Sequence, residues 1–109
     1  GYQLTDASGI AEFLTIYPGW YPGRSVHIHF KVRNDPASRR GQEFVSQLYF
    51  DESITDRVHK QSPYNGKGYR PTTNDKDFGF RSGGKQLMPS LTKDGNGYAA
   101  QFEIGLQIN

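Results

Sequence analysis

The sequence predicts one all-β domain over residues 1–109, with about six or seven antiparallel strands and one long irregular loop. Three observations predict it. Seven Tyr, seven Phe and one Trp make the chain rich in residues that suit a pleated sheet. Thirteen Gly and six Pro supply frequent turn signals. Residues 25–33 alternate apolar and polar side chains with the period of a strand. A chain of 109 residues suits one domain and buries roughly 65% of its extended surface.

The elements follow in order. Residues 2–5 and 10–16 read as strands joined at Asp6-Ala7-Ser8-Gly9, a turn with glycine last. Pro18-Gly19 and Pro22-Gly23 then interrupt any ladder and impose an aromatic loop. In residues 25–33, Val26, Ile28, Phe30 and Val32 should face the core, which sends His27 and His29 side by side to the opposite face. Residues 34–41 form a basic loop. Residues 42–50 make the next strand, with Phe44, Leu48 and Phe50 on one face. Residues 51–61 suit a short helix capped by Asp51 or Ser53. Residues 62–84 are polar and rich in turn formers, and are expected as the long loop. Strands 85–92 and 98–108 close the domain around a turn at 93–97.

Composition narrows the function. A net charge of +2, spread along the chain, argues against a nucleic-acid partner. The absence of Cys removes disulfides, thiolate metal sites and a cysteine nucleophile. No apolar run approaches the roughly 20 residues of a membrane span, and no signal peptide is visible. The chain opens on Gly1 rather than Met, as expected of a processed or shortened chain.

The chemistry concentrates between Tyr17 and His29. Two histidines two apart on a strand present adjacent imidazoles, which suit iron, copper, zinc or nickel. The pair alone is a weak signal, because structural histidines on a half-exposed strand face are common. Tyr21, six residues before His27, offers a hard oxygen donor. Arg24 would set a fixed positive charge beside the pair, favouring a bound anion. Taken singly, Tyr21 also reads as a packed aromatic and Arg24 as a surface charge.

Taken together, Thr15-Ile16-Tyr17-Pro18-Gly19-Trp20-Tyr21-Pro22-Gly23-Arg24 and His27-Ile28-His29-Phe30 resemble the intradiol ring-cleavage dioxygenases. Thr5-Asp6-Ala7-Ser8-Gly9, Phe13-Leu14-Thr15, Gln47-Leu48-Tyr49-Phe50 and Leu91-Thr92-Lys93-Asp94-Gly95 extend the resemblance over nearly the whole chain. It is nearest to the extracellular-type members of fungi and actinobacteria, and so favours a secreted protein. The resemblance implies an antiparallel β-sandwich and a mononuclear Fe(III) site. His27 and His29 would be its imidazole ligands, and Tyr21 an axial tyrosinate released when substrate binds. Arg24 would stabilise the charge of the catecholate. Tyr17, Trp20 and Gln47 would line the substrate site. The reaction implied is opening of a catechol-type ring by dioxygen between its two hydroxylated carbons, in aromatic compound catabolism.

The family's second tyrosinate comes from a segment preceding the part present here, and Tyr2 is misplaced to supply it. Either an upstream piece has been lost, or the site is a reduced one. His59, Tyr64 and Tyr69 are the substitutes the sequence offers. A reduced site would also suit Cu(II), with oxygen or peroxide chemistry on another substrate such as a polysaccharide. A third reading is a metal-free binding module using Tyr17, Trp20 and Tyr21 as stacking platforms. A homodimer is expected, to cover the face that the absent segment would bury.

Overall fold

A computed structural model describes residues 1–34 and 42–106 of the chain. Strands β1 (His27–Arg33) and β2 (Glu43–Tyr49) form one antiparallel pair. Helix α1 (Glu52–His59) follows, then 3-10 turns at Tyr64–Lys67 and Asn74–Lys76. A single helical turn, α2 (Phe78–Arg81), and a 3-10 turn at Gly84–Leu87 lead to β3 (Ser90–Asp94) and β4 (Gly97–Gln101), the second antiparallel pair. The described residues are therefore mostly β in organisation, with four strands in two separate sheets rather than six or seven.

The alternation in β1 holds. His27 and His29 pair with Tyr49 and Gln47, so all four share one face. Ile28, Phe30 and Val32 lie opposite Leu48, Ser46 and Phe44 on the other face. Phe30 meets Phe44 there at 6.1 Å and Phe102, just beyond β4, at 6.3 Å between ring centroids. The second hairpin thus leans on the apolar side of the first, yet Ile28, Phe30 and Val32 stay half-buried there, and the buried residues of the pair, His27 and Tyr49, lie on the histidine side, which corrects the expectation that this apolar set faces the core.

The expected N-terminal hairpin is corrected to a turn without strands. Asp6 builds the turn, its Oδ1 accepting from the Ser8 and Ile10 amides at 2.8 and 2.9 Å. The Asp6 and Gly9 amides close it on Ile10 O and Asp6 O. The flanking segments do not pair further, because a lone two-stranded ribbon needs an apolar face to rest on. Theirs is open: Leu4, Phe13, Leu14 and Ile16 are all exposed.

Three other expectations shift. The strand placed at 85–92 begins only at Ser90, since Pro89 has no amide for a ladder. The strand placed at 98–108 runs from Gly97 to Gln101, and its last two residues lie outside the described residues, as does most of the basic loop. The stretch 62–84 is not a free loop. Asn74 donates from Nδ2 to Phe50 O at 2.8 Å and from its amide to Glu52 Oε1 at 2.9 Å. Arg70 bonds Glu52 and Asp56 at 2.5 and 2.7 Å. These contacts pin the stretch to α1, which Asp51 caps as expected through the Ser53 and Ile54 amides.

The buried residues form a small, unusually polar core. Val26, Tyr49 and Phe50 are joined by Ser25, His27, Thr55, Asn74 and Asp77. Burying a polar group is costly unless it is hydrogen-bonded, and apart from Ser25 Oγ the buried polar side chains described here are, so this core is specified by its partners as much as by apolar contact.

Candidate metal and anion site

Tyr21-Pro22-Gly23-Arg24 is a tight turn, with Gly23 at φ +91° and an isolated antiparallel bridge between Tyr21 and Arg24. Proline second and glycine third suit such a turn, because the third position needs positive φ. The turn delivers Tyr21 and Arg24 to the start of β1.

His27 is buried and its Nδ1 lies 2.6 Å from Ser25 O. Only a protonated Nδ1 can make that bond, so neutral His27 presents an unprotonated Nε2. Burial lowers its pKa, and the nearby Arg24 charge adds to this against the Ser25 bond. His29 Nε2 lies 2.9 Å from His27 Nε2, and Tyr21 Oη lies 3.3 Å from the same atom. Three donors of the types the sequence singled out therefore meet at His27 Nε2.

Arg24 lies beside them. Its Nε donates to Asp77 Oδ2 at 2.8 Å, and Nη2 donates to Gln47 Oε1 at 2.5 Å, with Tyr49 Oη at 3.5 Å. The Phe78 ring lies 5.0 Å from its Cζ. Asp77 is fully buried and also accepts from the amides of Ser25, Gly79 and Phe80 at 2.7, 2.8 and 3.0 Å. Burial alone would raise this carboxyl. The bonds from Arg24 and the backbone amides outweigh it and hold the pKa at about 2. Gly79 completes the nest: a Cβ there would fall 2.4 Å from Tyr49 Oη and 3.1 Å from Arg24 Nη2.

The sequence does not single out Asp77, Tyr49 or Gly79 as site residues. A buried arginine requires a carboxylate, which is a signal that one of the acidic residues of 62–84 should answer Arg24. Sequence does not choose between Asp75 and Asp77.

The expected lining residues divide. Gln47 joins Arg24. Tyr17 and Trp20 make their contacts with α1 and the following turn instead. Tyr17 packs on Phe50 at 4.9 Å, and its hydroxyl bonds Thr55 Oγ1 at 2.6 Å. Burial pushes its pKa up to about 12, so Tyr17 is a neutral phenol. The offered substitutes do not join the histidines. His59 Nε2 bonds Pro18 O, Tyr64 Oη bonds Tyr17 O, and Tyr69 is 98% exposed. Among the described residues no group of three His, Cys, Asp or Glu forms, which leaves two imidazoles and a phenol as the donor set.

No family model matches the sequence, and no curated protein matches it. Solved structures do. An intradiol ring-cleavage dioxygenase from Tetranychus urticae is 28% identical with a TM-score of 0.65, over 78% of this chain and 41% of that one. A second solved dioxygenase is 31% identical with a TM-score of 0.69, over 81% of this chain and 42% of that one. This chain is similar in fold and sequence to these dioxygenases and spans about two fifths of their length. The first of these solved structures comes from a mite, not from the fungi or actinobacteria to which the sequence pointed.

The spacing of the two imidazoles suits a single ion. Two nitrogens each about 2.1 Å from one ion at a right angle lie about 3 Å apart. The histidine nitrogens at 2.9 Å meet that requirement. The donor chemistry, two imidazoles and one phenol beside an arginine, fits a ferric or cupric ion.

Proposed function

We propose that this chain carries the site of a metal-dependent oxidoreductase that opens a small catechol-type aromatic with dioxygen. The observation that carries the proposal is the meeting of Tyr21 Oη, His27 Nε2 and His29 Nε2 next to an arginine locked by a buried carboxylate. His27, His29 and Tyr21 would hold Fe(III), which supplies the means of activating a bound catecholate toward dioxygen. The chain's residues do the rest. His27 is kept in one tautomer by Ser25 O, so its lone pair stays directed at the ion. Arg24, pinned through Nε, offers its positive edge to the anionic substrate next to Gln47. Tyr21 is about half exposed, so its phenol has room to turn away and carry a proton on Oη. The strands formed here belong, on this reading, to a sandwich of six or seven, and the chain self-associates.

The same donors suit Cu(II), whose preference for nitrogen is met by two imidazoles. Metal identity and stoichiometry, measured on protein purified without added metal, separate the readings. Ferric tyrosinate gives a red-brown protein and catechol-dependent oxygen uptake. A pale blue protein with a copper paramagnetic signal would replace iron by copper, and a metal-free, colourless protein would leave a binding module.

A further inference from the structure

The loop that carries Tyr21 is held from behind by three side chains. Tyr64 Oη donates to Tyr17 O at 2.6 Å, and His59 Nε2 donates to Pro18 O at 3.0 Å. Lys67 Nζ donates to Trp20 O and also sits 4.6 Å from the centre of the Trp20 ring. Trp20 returns a bond, Nε1 to Gly68 O at 3.4 Å. The holders are themselves braced, because the His59 and Tyr64 rings stack at 5.2 Å and 7°. On the same side, Tyr17 rests on Phe50 and bonds Thr55.

A loop with two prolines and exposed glycines makes few backbone bonds of its own. Here three of the four carbonyls preceding Tyr21 are answered by side chains of residues 59–67. The remaining carbonyl is that of Gly19. Tyr64 Oη, His59 Nε2 and Lys67 Nζ are each committed to a carbonyl of the loop.

We infer that His59, Tyr64 and Lys67 are positioning residues, which clamp the backbone of residues 17–20 so that Tyr21 Oη faces His27 Nε2. The inference rests on reading Tyr21 as a ligand, but it can be tested without metal. The geometry favours a clamp over general packing: each residue takes a different carbonyl, and the clamped residues lead directly into Tyr21.

The test uses the full chain, metal-free and nitrogen-labelled, with Tyr64→Phe, His59→Leu and His59→Gln, each alone and combined with Tyr21→Phe. Two signals are followed: amide exchange at Tyr21 and Arg24 against Ile28, and the His27 Nε2 resonance. Tyr64→Phe and His59→Leu should speed exchange at Tyr21 and Arg24 about five- to tenfold, the effect of one lost hydrogen bond, and leave Ile28 unchanged. The His27 resonance should move toward its value in Tyr21→Phe and move no further in the double variants. His59→Gln, which keeps a donor, should restore both signals. Iron affinity, titrated afterwards, should fall in Tyr64→Phe by no more than it falls in Tyr21→Phe, and not fall further when Tyr21 is already Phe. Unchanged exchange and resonance in both Tyr64→Phe and His59→Leu would overturn the clamp. So would a loss of iron affinity that is the same with and without Tyr21. If the clamp signals behave as expected while the unaltered chain takes up no metal, the clamp stands and the ligand reading falls.

Discussion

The Arg24 guanidinium and the Asp77 carboxylate meet at 2.8 Å across 53 positions of sequence, and Gln47, Tyr49 and the amides of Ser25, Gly79 and Phe80 gather around that contact. It fixes Arg24 toward Gln47 and joins the loop before β1 to α2. Asp77→Ala should cost about 3 kcal/mol or more, because it strands a largely buried positive charge and three backbone amides. Asp77→Asn should cost less, since the amide oxygen still accepts. Urea denaturation of both variants checks the order, and equal stability of all three proteins would refute it.

The same carboxyl predicts an acid limit. Its pKa is held at about 2 in the folded chain, below the roughly 3.9 of an unfolded aspartate. A depressed pKa means the stabilisation is complete above about pH 4 and disappears as pH falls through 2. The contribution at stake is about 2–3 kcal/mol. Unfolding midpoints measured between pH 2 and 6 should fall in that window, and Asp77→Asn should flatten the dependence.

Gly79 has no room for a side chain. Gly79→Ala should push Tyr49 Oη out of place and with it Arg24, at a cost of about 1–3 kcal/mol. The severe clash is with the hydroxyl at 2.4 Å, with Arg24 Nη2 and Asp77 Oδ1 tight at 3.1 Å, so Tyr49→Phe in the same chain should recover part of the loss. Melting temperatures of the two single variants and the double variant measure the coupling.

The proposed ligands predict four different phenotypes. His27→Ala and His29→Ala should each abolish tight metal binding, because each removes one of two nitrogens. Tyr21→Phe should retain most of the metal and change its colour. Arg24→Ala should retain the metal and lose turnover by 100-fold or more, roughly the effect of removing one charge-stabilising donor. Metal stoichiometry and oxygen uptake, measured side by side, decide. Full metal content in both histidine variants would place the site elsewhere.

Exposed apolar residues at the N-terminal end predict self-association. Leu14 is fully exposed, and Ile16, Leu4 and Phe13 are 77, 73 and 60% exposed. The radius of gyration is 15.4 Å, against about 13 Å expected for a compact chain of this length. Sedimentation velocity should show a dimer that Leu14→Lys and Ile16→Lys shift toward monomer. A monomer at high concentration without either change would contradict this.

The sequence by itself determined the local parts of this protein. The alternation from Val26 to Arg33 required His27 and His29 to share a face, and they do. Pro22-Gly23 required a tight turn, and Asp51 required a helix start. These features depend on backbone geometry over a few residues, which residue types dictate directly. Motif likeness reached further and named the family that the fold then matched.

Tertiary structure decided the rest. Whether residues 2–5 and 10–16 pair as strands depends on an apolar surface to cover, and sequence period cannot say whether one is present. Pro89 shortened β3 because its missing amide matters only once the pairing register is known. The choice of Asp77 over Asp75 as the partner of Arg24 rests on the Asn74 and Arg70 contacts that bring 62–84 back against α1. The same return brings His59 and Tyr64 to the carbonyls of the Tyr21 loop rather than to the histidines. Such long-range pairings follow from which buried polar groups find each other in the packed chain, and no local pattern encodes that choice.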